Sequence, residues 1–165
     1  MKSNDADKVQ RLSAGLTMKM ITCWVEIVLS DSLEYLRARH WWNPMVWILI
    51  RRVRVAFTAA QRYDNPEEAA HKIESARRAS VDVIGIGPGF YWAKGLIESF
   101  IAQYQVCFET VEDNGKPDAA LASRLIAMAG NLDNVPVRYR WCKLRSQEAI
   151  AKAEELLTSS LHHLQ

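Results

Sequence analysis

Two Asn-Pro pairs, Asn43-Pro44 and Asn65-Pro66, constrain the fold of this chain more than any other local feature. Asparagine accepts hydrogen bonds from the open amides of a first helical turn. Proline at the first helical position lacks only an N–H that would go unpaired anyway. Each pair therefore predicts a helix start, and a helix end shortly before it. Glu67 and Glu68 follow the second pair, in the positive first turn of the helix it opens. Pro88 and Pro117 mark two more starts, the latter after the turn Asn114-Gly115.

Hydrophobic periodicity agrees with this punctuation. From Thr17 to Arg37 the polar residues Lys19, Thr22, Glu26, Ser30, Glu34 and Arg37 recur every three or four positions and leave a wide apolar face. From Phe90 to Glu112 a polar stripe (Lys94, Glu98, Gln105, Glu109, Glu112) lies opposite Phe90, Ala93, Ile97, Phe100, Ile101, Tyr104 and Phe108. Residues 66–80 show a narrow small-residue face of Ala69, Ala70, Ile73 and Ala76, which lets a neighbouring helix approach closely. Leu121, Leu125 and Met128 mark a short helix stopped at Gly130-Asn131, and Ile150, Ala153, Leu157, Leu161 and Leu164 mark a last one.

Two segments resist helix. Residues 81–87 (VDVIGIG) are β-branched with interspersed glycines, and residues 135–141 (VPVRYRW) alternate apolar and basic. Either they pair as a small ribbon, or the second opens the terminal helix at Pro136; the helical reading is preferred. The expectation is an all-α single domain over residues 1–165, a bundle of five or six helices with room for one short extended segment. At 165 residues such a domain buries about two thirds of its unfolded surface.

Charge is distributed unevenly. The 29 residues between Glu34 and Asp64 contain six arginines, three tryptophans and no acid, while Glu98, Glu109, Glu112, Asp113 and Asp118 crowd a later stretch. On the helix that opens at Pro44, Arg51, Arg54, Thr58, Gln61 and Arg62 share one side. Leu49, Val53, Ala56 and Ala60 lie largely across from it, flanked by Val46 and Phe57. Arg52 falls toward the apolar side. Arg37, Arg39, His40, Trp41 and Trp42 come just before, and Arg138 and Arg140 belong to a second acid-free run. Arginine suits phosphate because its planar fork donates two parallel hydrogen bonds, and a nearby tryptophan can stack on an unpaired base. A plainer reading stays open: the arginines pair with Glu98, Glu109 and Glu112, and Trp41, Trp42 and Trp47 fill the core.

Other chemistry finds little support. The stretch VDVIGIGPGFYWAKG places glycines at 85, 87 and 89 before a helix, as in dinucleotide-binding units. Phe90 occupies the third required glycine position, however, and the preceding segment reads as helix, so a tight interhelical turn using glycine for positive φ is the better account. Glu68-x-x-His71 has the spacing of a di-iron ligand pair but no second copy, which speaks for a solvated first turn. The cysteines Cys23, Cys107 and Cys142 form no redox or metal motif; Cys23 and Cys107 fall in or beside apolar stripes, where a buried inert thiol is expected.

These readings predict a non-enzyme with no catalytic, cofactor or metal site. They point to a cytoplasmic binding module that holds an acidic partner, first of all a nucleic-acid backbone without base readout. The predicted contacts are Arg37, Arg39, Trp41, Trp42, Arg51, Arg54, Arg62, Arg138 and Arg140. The alternative is a protein–protein scaffold, a homo- or hetero-oligomer built through the apolar 41–50 and acidic 98–118 regions. No apolar run is long enough for a transmembrane helix. Peripheral membrane contact through residues 41–57 is set aside, because apolar residues read as core interrupt the basic face.

Overall fold

The computed structural model describes residues 2–114. They form four helices: α1 (Lys2–Arg39), α2 (Pro44–Arg62), α3 (Pro66–Asp82) and α4 (Pro88–Asn114). The expected helices around 121–128 and 150–164, the segment 135–141, and Arg138 and Arg140 lie outside the described residues. Within them the fold is all-α, and residues 81–87 are not a strand: Val81 and Asp82 finish α3 and the rest is an irregular turn.

The Asn-Pro pairs act as their chemistry requires. Asn43 accepts from the amide of Met45 at 3.1 Å, and Asn65 from that of Glu68 at 3.2 Å, with Pro44 and Pro66 in the first turns behind them. Asn43 also donates to the carbonyl of Ile84 at 2.7 Å, so one buried amide joins the α1–α2 connection to the α3–α4 connection. At the end of α2, Tyr63 takes the left-handed conformation (φ 53°), which stops the helix two residues before Asn65.

Each helix packs chiefly on two neighbours, α1 on α2 and α4, and α3 on α2 and α4, which closes a ring. Cross-contacts give the directions. Gln61 on α2 donates to Glu26 on α1, Gln105 on α4 donates to Glu74 on α3, and Thr22 on α1 meets Tyr104 on α4. The α1–α2 and α3–α4 connections lie at one end, joined by the Asn43–Ile84 hydrogen bond, and the α2–α3 connection lies at the other. The result is an up-down-up-down antiparallel bundle.

The face expected of α4 is the face it buries: Phe90, Ala93, Ile97, Phe100, Ile101, Tyr104 and Phe108 all join the core. On α3, Ala69, Ile73 and Ala76 are buried as expected. Ala70 is exposed, because it lies 100° from Ala69 and off the seam, and Ala79 and Ser80 complete the buried face instead. On α1, Thr22 departs from its polar stripe and is fully buried. Its hydroxyl donates to the Met18 carbonyl at 2.6 Å, which leaves the Tyr104 hydroxyl to donate to Thr22 Oγ1, also at 2.6 Å. The pair satisfies two polar groups in an apolar seam, where an unpartnered one would cost about 1–3 kcal/mol. Cys107 is buried but Cys23 is exposed, contrary to the inert-thiol expectation for the latter.

The glycine-containing turn is held by close contacts. Gly87 has φ +98°, the conformation glycine alone adopts easily, and a Cβ added to Gly85 would enter the ring of Phe90. Lys94 reaches back to the carbonyls of Val81 at 2.8 Å and Val83 at 2.9 Å, satisfying the end of α3 with a cation where the helix dipole favours one. This region is an interhelical turn, and no parallel sheet exists among the described residues to make it a dinucleotide cradle.

Candidate phosphate-binding groove

The outer face of α2 carries the arginine segment. Val46, Leu49, Ile50, Val53, Ala56, Phe57 and Ala60 face the core, and Arg51, Arg52, Arg54 and Arg62 lie outside it. Arg52 was expected nearer the apolar side; it is exposed like Arg51, because the buried face extends through Ile50 and Phe57 on the side away from it.

Because α3 runs antiparallel to α2, its polar positions come alongside these arginines. Ile48, Arg51, Arg52 and Val55 from α2 face Lys72 and Ser75 from α3 across a concavity of about 420 Å³. Among the described residues three cations line it and no carboxylate does. Val55 and Lys72 also border a second concavity of about 370 Å³ farther along the same seam, where Arg54, Thr58 and Arg62 meet Asp64 and Glu68. Among the described residues the groove is purely basic in one half and mixed in the other. An anion such as a phosphate oxygen would be drawn to the first half, where the Ser75 hydroxyl adds a neutral donor.

Whether the positive charge is already neutralised decides what the groove can do. Among the described residues, none of Arg51, Arg52, Arg54 and Arg62 makes an ion pair, with Glu98, Glu109 and Glu112 or with any other acid. Glu112 accepts instead from the Tyr63 hydroxyl. The pairing offered by the plainer reading is therefore missing on this face. It is present elsewhere: Glu74 holds Arg77 and Arg78, and Glu34 holds Arg37 through two hydrogen bonds.

The predicted contact residues consequently divide. Arg51, Arg54 and Arg62 lie along the α2–α3 seam. Arg37 does not join them; Glu34 offsets its charge, and with Arg54 it borders a different concavity, between α1 and α2. Arg39 is exposed at the end of α1. Trp41 and Trp42 are 66% and 53% exposed, and Trp47 is also outside the core, which overturns the core-filling alternative for all three. The Trp47 indole N–H donates to the Trp41 carbonyl at 2.6 Å, so these two residues sit together one helical turn from Arg51. Lys72 and Ser75 were not among the predicted contacts. Their signal was the polar i, i+4, i+7 series Glu68, Lys72, Ser75, but only the fold shows that this series faces α2.

Other constellations are bare. Glu68 and His71 are both solvent-exposed, and no group of three His, Cys, Asp or Glu side chains among the described residues is placed to hold a metal. His40 is buried with its Nδ1 unpartnered, beside Trp42 and against Phe90, whose ring it meets at 5.0 Å. Burial lowers its pKa below the ordinary histidine value. No helix among the described residues is long and apolar enough to cross a membrane.

No known protein family, curated protein or solved structure matches this chain, so its functional reading rests on the geometry of the groove.

Proposed function

We propose that this protein is a helical binding module that holds an acidic partner in the α2–α3 groove, and that the partner is a nucleic-acid backbone contacted without base readout. One observation carries the reading: Arg51, Arg52 and Lys72 converge from two helices on one half of the groove, which no carboxylate of the described residues lines, and the two arginines make no ion pair among those residues. Successive phosphates along a strand meet such a row of cations and release their counterions. Arg54 and Arg62 extend the row, and Trp41 lies one turn beyond its start.

The test is the salt dependence of binding to a short oligonucleotide. Log affinity should fall linearly with log salt. Arg51→Gln together with Arg52→Gln should weaken binding at low salt and flatten the slope by about one unit for each phosphate left unneutralised. Both side chains are exposed, so the double variant should keep its stability. A slope that is flat in the native protein, or unchanged in the variant, would overturn the proposal.

A further inference from the structure

At one end of the bundle, where α1 turns into α2 and α3 into α4, large apolar side chains stand in solvent. Trp41 and Trp42 come from the first connection, Trp47 and Ile48 from the start of α2, and Ile84 and Ile86 from the third connection. The two isoleucines are 67% and 74% exposed. The Asn43–Ile84 and Trp47–Trp41 hydrogen bonds and the His40–Phe90 ring contact hold these segments together, so the residues form one cap. Singly exposed apolar residues are ordinary, but a gathered set marks an interaction surface.

Charge and shape narrow the partner. Residues 39–52 and 82–94, which build this end, carry Arg39, Arg51, Arg52 and Lys94 against the single carboxylate of Asp82. The apolar residues come from two connections and a first turn, not from one helix face, which gives a cap instead of a stripe along which a partner helix could lie. A bilayer surface needs no matching groove. It takes indoles at headgroup depth, aliphatic side chains just below, and arginines against lipid phosphates.

We infer that this end docks on a membrane surface containing anionic lipid, with Ile84, Ile86 and the indoles of Trp41 and Trp42 entering the headgroup layer and Arg39, Arg51 and Arg52 facing lipid phosphate. The sequence pattern speaks against membrane contact only if the apolar residues of 41–50 belong to the core, and Trp41, Trp42, Trp47 and Ile48 do not. The inference goes beyond the nucleic-acid reading and stands on different residues, although Arg51 and Arg52 would serve both partners.

The full chain should be titrated with phosphatidylcholine vesicles, with and without phosphatidylglycerol. Expected is cosedimentation and a blue shift of tryptophan emission with the anionic vesicles only. Ile84→Ser with Ile86→Ser should weaken this by about tenfold or more. Because both side chains are exposed, the helical circular dichroism of the variant and its affinity for an oligonucleotide should stay at the native values. No partition into anionic vesicles overturns the inference, as does equal binding by the double-serine variant, which would mean adsorption by charge alone. Self-association of the native chain that the same variant abolishes, without vesicle binding, would overturn it too and assign the cap to a second copy. Vesicle binding by a native chain that binds no oligonucleotide would support the inference and break only the groove reading.

Discussion

The α1–α4 side of the bundle and the outer face of α2 treat their aromatic residues in opposite ways. Along α4, Phe90, Phe100, Tyr104 and Phe108 are buried, with only Tyr91 and Trp92 near its start left exposed, and Phe57 of α2 joins the buried set edge-on to Tyr104 at 5.3 Å. At the start of α2, Trp41, Trp42 and Trp47 stand in solvent. Hydrophobicity alone would bury a tryptophan as readily as a phenylalanine, with a gain of roughly 1.5–3 kcal/mol for a large apolar side chain. The three tryptophans come from the α1–α2 connection and the start of α2, and they fall outside the buried face of that helix, which Val46, Leu49, Ile50 and Val53 fill at this level. Trp47 sits one helical turn before Arg51. One side of the molecule is organised by packing, and the other carries indoles and arginines in solvent.

The largest effect should come from cutting into the packed side. Phe100→Ala should cost about 3–5 kcal/mol in urea unfolding, the range for emptying an aromatic site in a core, while Trp41→Ala should stay within about 0.5 kcal/mol. Comparable losses for the two would erase the distinction between the regions. The α3–α4 turn comes next. Gly85→Ala forces a Cβ into the Phe90 ring and should cost about 1–3 kcal/mol, more than Gly87→Ala, where only the positive φ is strained. Tyr104→Phe removes one buried hydrogen bond and should cost about 1 kcal/mol, with Thr22 keeping its bond to the Met18 carbonyl.

The smallest effects are pH-dependent and come from pKa shifts at His40 and Glu74. Burial lowers the His40 pKa, so the unfolded chain takes up a proton before the folded one does. Stability should therefore fall as pH drops through the ordinary histidine value of 6.5, and His40→Leu should remove that slope. Hydrogen bonds from Arg77, then Gln105 and Arg78, hold Glu74 at about 2. Its contribution is whole above its ordinary value of 4.5 and is lost as pH falls from there toward about 2. Glu74→Gln should flatten this acid limb alone. Both are read from thermal midpoints across pH.

Helix starts and buried faces were legible in the sequence because they are local. Asn43-Pro44 and Asn65-Pro66 cap the helices they precede, and the α4 stripe is buried residue for residue. Long-range consequences were not legible. Thr22 reads as polar until Tyr104 arrives from 82 residues away. Arg51 and Arg54 announce a basic helix, but Lys72 and Ser75 become their neighbours only because α3 returns antiparallel. A wheel drawn on Leu49, Val53, Ala56 and Ala60 places Arg52 toward the apolar side, whereas the buried face also takes in Ile50 and Phe57 and so turns away from it. The tryptophans were equally ambiguous, since a sequence records their size but not on which side of the packed core they fall.

The most direct test of the groove is amide chemical-shift mapping of the isotope-labelled protein with a short oligonucleotide at low salt. Perturbations should concentrate in residues 48–62 and 72–75, with Glu98, Glu109 and Glu112 on α4 unmoved. Perturbations centred on α4, or none at all at low salt, would contradict a phosphate-binding role for the α2–α3 groove.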